Sequence, residues 1–236
     1  MKHILFLLIL FGSVSYAQIP DAPDRSEGEG PWPQLIIRGA MVIIGDGAPP
    51  IGPVDIVIEQ NRIASVKVVG YPGVEIDPER RPSLREGGKE INAAGMYVLP
   101  GFIDMHGHIG GTSQGTPAEY VFKLWMAHGI TTIRDPSAGN GLEWTLSHKA
   151  KSAANEITAP RILAYTSFGQ GSDGINSAED ARQWVRNNAA KGADGIKFFG
   201  AAPEIMQAAL EENKKLGLRS ACHHAQMDVA RWNVLN

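Results

Sequence analysis

From Gly95 onward the 236-residue chain alternates short apolar runs with helix-length segments, and this alternation restricts the fold more than any other feature. The runs are residues 96–103, 129–133, 161–165, 195–199 and 218–222. Each is too short for a helix, and most are rich in β-branched or aromatic residues, so they read as strands. Helix punctuation lies between them. Thr116-Pro117-Ala118-Glu119 predicts a capping box, and Ser177-Ala178-Glu179-Asp180 opens a helix that Gly192 closes. A third helix spans 203–216, ending at Gly217. Strand–helix repetition implies parallel strands, because a parallel neighbour is reached only by a long crossover. The expected class is therefore α/β.

The first part of the chain reads differently. Lys2 and His3 precede an apolar run over 4–11, then Gly12, Ser13 and the small-residue pattern Ser15-Tyr16-Ala17. That is a signal-peptide pattern over 1–17, too short to span a bilayer, so export to the periplasm or medium is expected. Residues 18–33 are rich in Pro, Gly, Asp and Glu and read as a flexible leader. Strands follow at 34–44 and 54–69, separated by Gly-Asp-Gly and Gln-Asn-Arg turns. Residues 70–90 read as a solvated loop whose charges (Glu79, Arg80, Arg81, Arg85, Glu86) form a wet surface. The expected division is thus 34–95 for a small β unit and 96–236 for the α/β unit. A net charge of -3 gives no electrostatic reason for a nucleic-acid or membrane partner once the signal is removed. The single cysteine, Cys222, excludes an internal disulfide and any multi-cysteine metal site.

Three segments carry chemistry. In Leu99-Pro100-Gly101-Phe102-Ile103-Asp104-Met105-His106-Gly107-His108, two imidazoles two residues apart would share one face of a strand and could bind one metal. Such a pair also arises on strands with no ligand. In Gly192–Gly200, Lys197 sits at the end of an apolar strand, where it must snorkel, pair with a carboxylate or change its charge. In Cys222-His223-His224-Ala225-Gln226, adjacent histidines point to opposite faces, so at most one faces inward. The three segments fall at the C-terminal ends of the first, fourth and fifth strands, and in a parallel barrel those ends share the face that carries active sites. His128 and His148 fall in or at helices and read as structural, and Asp135 could orient a ligand or bind loop backbone. The Gly-rich 110–115 segment reads as a mobile substrate loop or a plain surface loop, and 165–169 as a candidate substrate wall.

With these segments in view, the chain resembles the amidohydrolase superfamily of metal-dependent hydrolases, particularly its imidazolonepropionase-like and dipeptidase-like members. Residues 34–69 are similar to the start of that family's small β-sandwich. Residues 98–108 resemble its first barrel strand with the His-x-His motif, and Gly129-Ile130-Thr131-Thr132-Ile133-Arg134-Asp135 its second-strand signature. Residues 192–197 resemble the segment bearing a lysine that carbon dioxide converts to a carbamate. The resemblance implies a partial TIM (β/α)8-type barrel of about five strands with the N-terminal part of a β-sandwich. It also implies that His106 and His108 bind one metal ion, that carbamylated Lys197 is the catalytic bridge between two, and that His223, with His224 as the alternate, binds the second. Two divalent ions, zinc first, about 4 Å apart would activate water and polarise a carbonyl. The implied reaction is hydrolysis of a C–N amide-type bond in a small molecule such as a dipeptide or cyclic amide. Alternatives are a deaminase, a lactone or phosphoester hydrolase, and a non-catalytic metal-binding protein.

The family pattern continues with a histidine at the sixth barrel strand and an aspartate at the eighth, and neither is present. A complete barrel needs roughly 250 residues. The expectation is a fragment of a longer hydrolase, inactive and aggregation-prone alone.

Overall fold

The computed structural model describes residues 30–169, 171, 173–223 and 231. The expected signal segment, most of the expected leader and His224 lie outside them. Among the described residues no helix is long and apolar enough to cross a membrane.

The first sheet is built on β1 (Gln34–Val42), β2 (Ile51–Glu59) and β3 (Arg62–Val68), an antiparallel meander whose alternate residues Ile36, Val54 and Ile56 are buried. Two short strands, β4 (Lys89–Asn92) and β5 (Tyr97–Val98), pair parallel with β1. Asp55 on β2 is fully buried and takes hydrogen bonds from Arg38, Arg81 and the Gly39 N–H at 2.8–3.0 Å. Arg38 also pairs with Glu90. The 70–90 segment is therefore not merely a wet surface. Arg81 reaches into the sheet because a buried carboxylate must find a cation and donors, and residues from Lys89 already belong to a strand.

The second sheet is parallel, ordered β6 (Phe102–Asp104), β7 (Ile130–Asp135), β8 (Arg161–Gly169), β9 (Gly195–Gly200) and β10 (Arg219–Cys222). The crossovers carry α1 (Ala118–Ala127), α2 (Leu142–Ala153), α3 (Ala178–Lys191) and α4 (Pro203–Lys215). This is the partial (β/α)8 barrel of five strands beside a separate small mixed sheet. Its largest core packs Phe168, Ile196 and Phe198 against Trp184, Met206 and Leu210 of α3 and α4. A second core joins Ile133 and Ile162 to Phe122 of α1. Because Ile196 and Phe198 face the helices, alternation turns Lys197 and Phe199 to the opposite, inner face.

Two local expectations fail for identifiable reasons. The 96–103 run is two strands, not one, because the chain changes sheets within it. Pro100 has no N–H for a ladder, and Gly101 abuts Thr131 so closely that no side chain fits. The capping box at α1 does not form. Pro117 holds the N-cap position, and Thr116 is drawn into a bridge with Gly111, the Gly111 N–H donating to the Thr116 carbonyl at 2.6 Å. At α3 the reading holds. Ser177 accepts the Asp180 N–H at 3.1 Å, and Gly192 closes the helix at φ 101°.

Candidate functional site

β6 ends at Asp104, so the His-x-His segment forms a turn beyond the strand and not a pleated strand end. Asp104 Oδ1 accepts the His106 N–H at 2.9 Å, and the Gly107 N–H donates to the Arg134 carbonyl at 3.0 Å. Gly107 is buried, and a Cβ there would stand 2.8 Å from the Trp125 indole, so glycine is dictated by close packing. The turn nonetheless brings the two imidazoles together, with ring centroids 5.4 Å apart and planes at 74°. Desolvation, then the nearby charges of Lys197, His108 and Arg134, hold the His106 imidazole below its ordinary pKa, in the neutral form that ligates metals. His108 Nδ1 lies 3.8 Å from Asp135 Oδ1. Asp135 itself is buried and accepts the N–H groups of Ser137 and Ala138 at 3.2 Å, so it binds loop backbone and faces His108 at once. Burial pushes its carboxyl above the ordinary range, against the pull of those amides and of His108.

Lys197 is 5% exposed on the inner face of β9, level with Ser167 of β8 and Ala221 of β10. No carboxylate among the described residues pairs with it. Its Nζ lies 5.9 Å from the centre of the Phe199 ring. His223 follows Ala221 by two residues, and its ring stacks on Phe199 at 4.6 Å and 24°, while its N–H donates to the Phe198 carbonyl at 2.9 Å. His223 therefore stands on Lys197's face. Cys222, between them in period, packs toward the helical core, and burial pushes its thiol up to about 11. His224 is outside the described residues.

His106 and His108 thus follow the first parallel strand and His223 the fifth, while Lys197 lies within the fourth, three residues before its end at Gly200 and not at the strand end the sequence suggested. Among the described residues no three His, Cys, Asp or Glu side chains are close enough to hold a metal ion. Lys197, whose charge acts on His106, is the candidate for a further donor. An ammonium offers no lone pair, whereas a carbamate on the same nitrogen would supply two oxygens that share one negative charge.

Other sequence readings resolve as follows. His128 and His148 cap their own helical turns by bonds from Nδ1 to the Leu124 and Trp144 carbonyls. The 110–115 segment is a 3-10 turn held by Asn140, which engages the Gly110 carbonyl and the Ser113 N–H. Residues 165–169 continue β8, with Tyr165 buried. Sequence reasoning gave Arg134 no role, although a cation inside an apolar strand next to Asp135 was a usable signal.

No family model matches the chain. An adenine deaminase of Bacillus velezensis is 31% identical over an alignment 160 positions long that covers 63% of this chain and 27% of that protein. The crystal structure of a Xaa-Pro dipeptidase with methionine bound in its active site has the same fold, with TM-score 0.63 at 21% identity over 86% of this chain and 59% of that one. The chain belongs to the amidohydrolase superfamily. This amidohydrolase chain spans about a quarter of the length of the adenine deaminase it matches. A third similar protein, a D-aminoacylase with a binuclear metal centre, has TM-score 0.54 at 18% identity over 86% of this chain and 50% of that one.

Proposed function

We propose that this amidohydrolase chain carries most of the metal-binding half of an exported hydrolase that cleaves a C–N amide-type bond in a small molecule. One observation carries the reading. Lys197 is buried without a carboxylate partner, on the same inner face as His223 and within electrostatic reach of His106. A buried ammonium without a counter-charge is costly, and carbamylation by carbon dioxide would replace it, with release of two protons, by a carbamate whose single negative charge bound metal ions would balance. The donor set of two to three imidazoles and a carbamate suits zinc. Metal ions bound there would supply an acidified water and a polarised carbonyl. The protein's own contribution is to keep the His106 imidazole neutral, to aim His108 through Asp135, and to hold His223 against Phe199.

The adenine deaminase relative favours a second reading, hydrolytic deamination on the same scaffold. Measuring zinc content with and without bicarbonate, then assaying dipeptides against adenine, separates the two. Dipeptide cleavage supports the amide reading, ammonia release from adenine the deaminase reading, and failure to take up metal opposes both. The export reading rests on residues 1–17, and fractionation of a producing cell tests it.

A further inference from the structure

Arg134 faces the interior of the half-barrel beside the His-x-His turn, and no anion among the described residues neutralises it. Its guanidinium lies 5.2 Å from the centre of the Tyr165 ring, and its Nε is buried with no hydrogen-bond partner. The carboxylates nearest in the chain are committed elsewhere. Asp104 takes the His106 N–H, and Asp135 takes the Ser137 and Ala138 amides. The contrast with the first sheet is direct, since Arg38 and Arg81 there both close on Asp55. Tyr165 is buried beneath Arg134, and Gly195 is kept bare by it, because a Cβ there would sit 2.5 Å from the tyrosine ring. Lys197 is buried on the same face. A guanidinium held over an aromatic ring, with its Nε buried and unbonded, keeps donors of the planar fork that carboxylates fill in a bidentate manner. Leaving that donor unfilled costs free energy that a ligand anion would recover.

We propose that Arg134 receives the carboxylate of the substrate, so that the site takes N-acyl amino acids or dipeptides with a free terminal carboxylate in preference to neutral bases. The inference rests on the hydrolase reading of the same site and names its substrate class. Carboxylate and carboxamide ligands of equal size distinguish it. The full chain, loaded with zinc and bicarbonate, is titrated calorimetrically with N-acetylglycine and with N-acetylglycinamide. The acid is expected to bind at least tenfold more tightly than the amide, and Arg134→Met to remove that preference while leaving zinc content unchanged. Arg134→Lys, which keeps the charge and loses the fork, is expected to lower the preference severalfold and gives the same comparison should the methionine variant fail to fold. Equal binding of acid and amide by the zinc-loaded wild type overturns the proposal, as does a preference that survives in a folded Arg134 variant. A chain that takes up no zinc opposes the hydrolase reading itself, whatever N-acetylglycine does.

Discussion

At the scale of single residues, Lys197 and Asp55 present the same problem of a buried charge with two different solutions. Asp55 is fully buried, which by itself would raise its carboxyl. Hydrogen bonds from Arg81, the Gly39 N–H and Arg38 outweigh burial and hold it below its ordinary value of 3.8. A depressed folded-state value means stability that is fully present above the unfolded value and is lost as pH falls through the lower folded one. Acid unfolding of the first sheet should therefore set in below pH 3.8, and Asp55→Asn should shift the urea midpoint down by a cost of about 3–5 kcal/mol, since two arginines lose their buried partner. Lys197 has no such partner, and its expected solution is chemical. Lys197→Met should keep the fold by circular dichroism and abolish any bicarbonate-dependent zinc uptake measured by elemental analysis. Cys222, with its thiol pushed up to about 11 by burial, should resist alkylation by iodoacetamide at pH 8 until the chain is unfolded.

At the scale of elements, local signals succeed where the backbone is free to obey them. Ser177 caps α3, so Ser177→Ala should cost about 1 kcal/mol by chemical denaturation. Thr116→Ala should cost less than about 0.5 kcal/mol, because the Thr116 hydroxyl caps no helix. The paired measurement separates a cap that exists from one that is only spelled in the sequence. The His-x-His turn is set by packing in the same way. Gly107 lies against Trp125, so any larger residue there must displace the indole or the turn that holds both imidazoles.

Across the whole molecule, the five parallel strands among the described residues end in two edges, β6 and β10. Phe102 and Ile103 on β6 are 60% and 58% exposed, and Met105 follows them. An open parallel edge with an apolar face invites pairing with another chain. The 236-residue chain by itself should associate at micromolar concentrations, and Ile103→Lys should lower the apparent mass by light scattering. A monodisperse monomer of the unaltered chain would contradict this reading. The helix-covered side is well packed, with Phe168, Phe198 and Met206 fully buried. The open side carries the histidines, Lys197 and Arg134, so the chemistry and the exposed surface share one face.

The order of strands and helices, the parallel class and three helix boundaries follow from residue pattern alone, because periodicity and capping residues act over a few residues at a time. The residue pattern also drew attention to His106, His108, Lys197 and the pair His223 and His224, and only the family resemblance favoured His223 over His224. Pattern could not show that the first barrel strand begins only at Phe102, since Pro100 and Gly101 change sheets for reasons of pairing and of contact with Thr131. Nor could it show that Arg81 closes on Asp55, that Asn140 pins the 110–115 turn, or that Arg134 stands over Tyr165 without an anion. Those facts depend on residues 26 or more positions apart meeting in space. Local sequence determined which elements form. Only tertiary packing decided which charges find partners and which are left for a ligand.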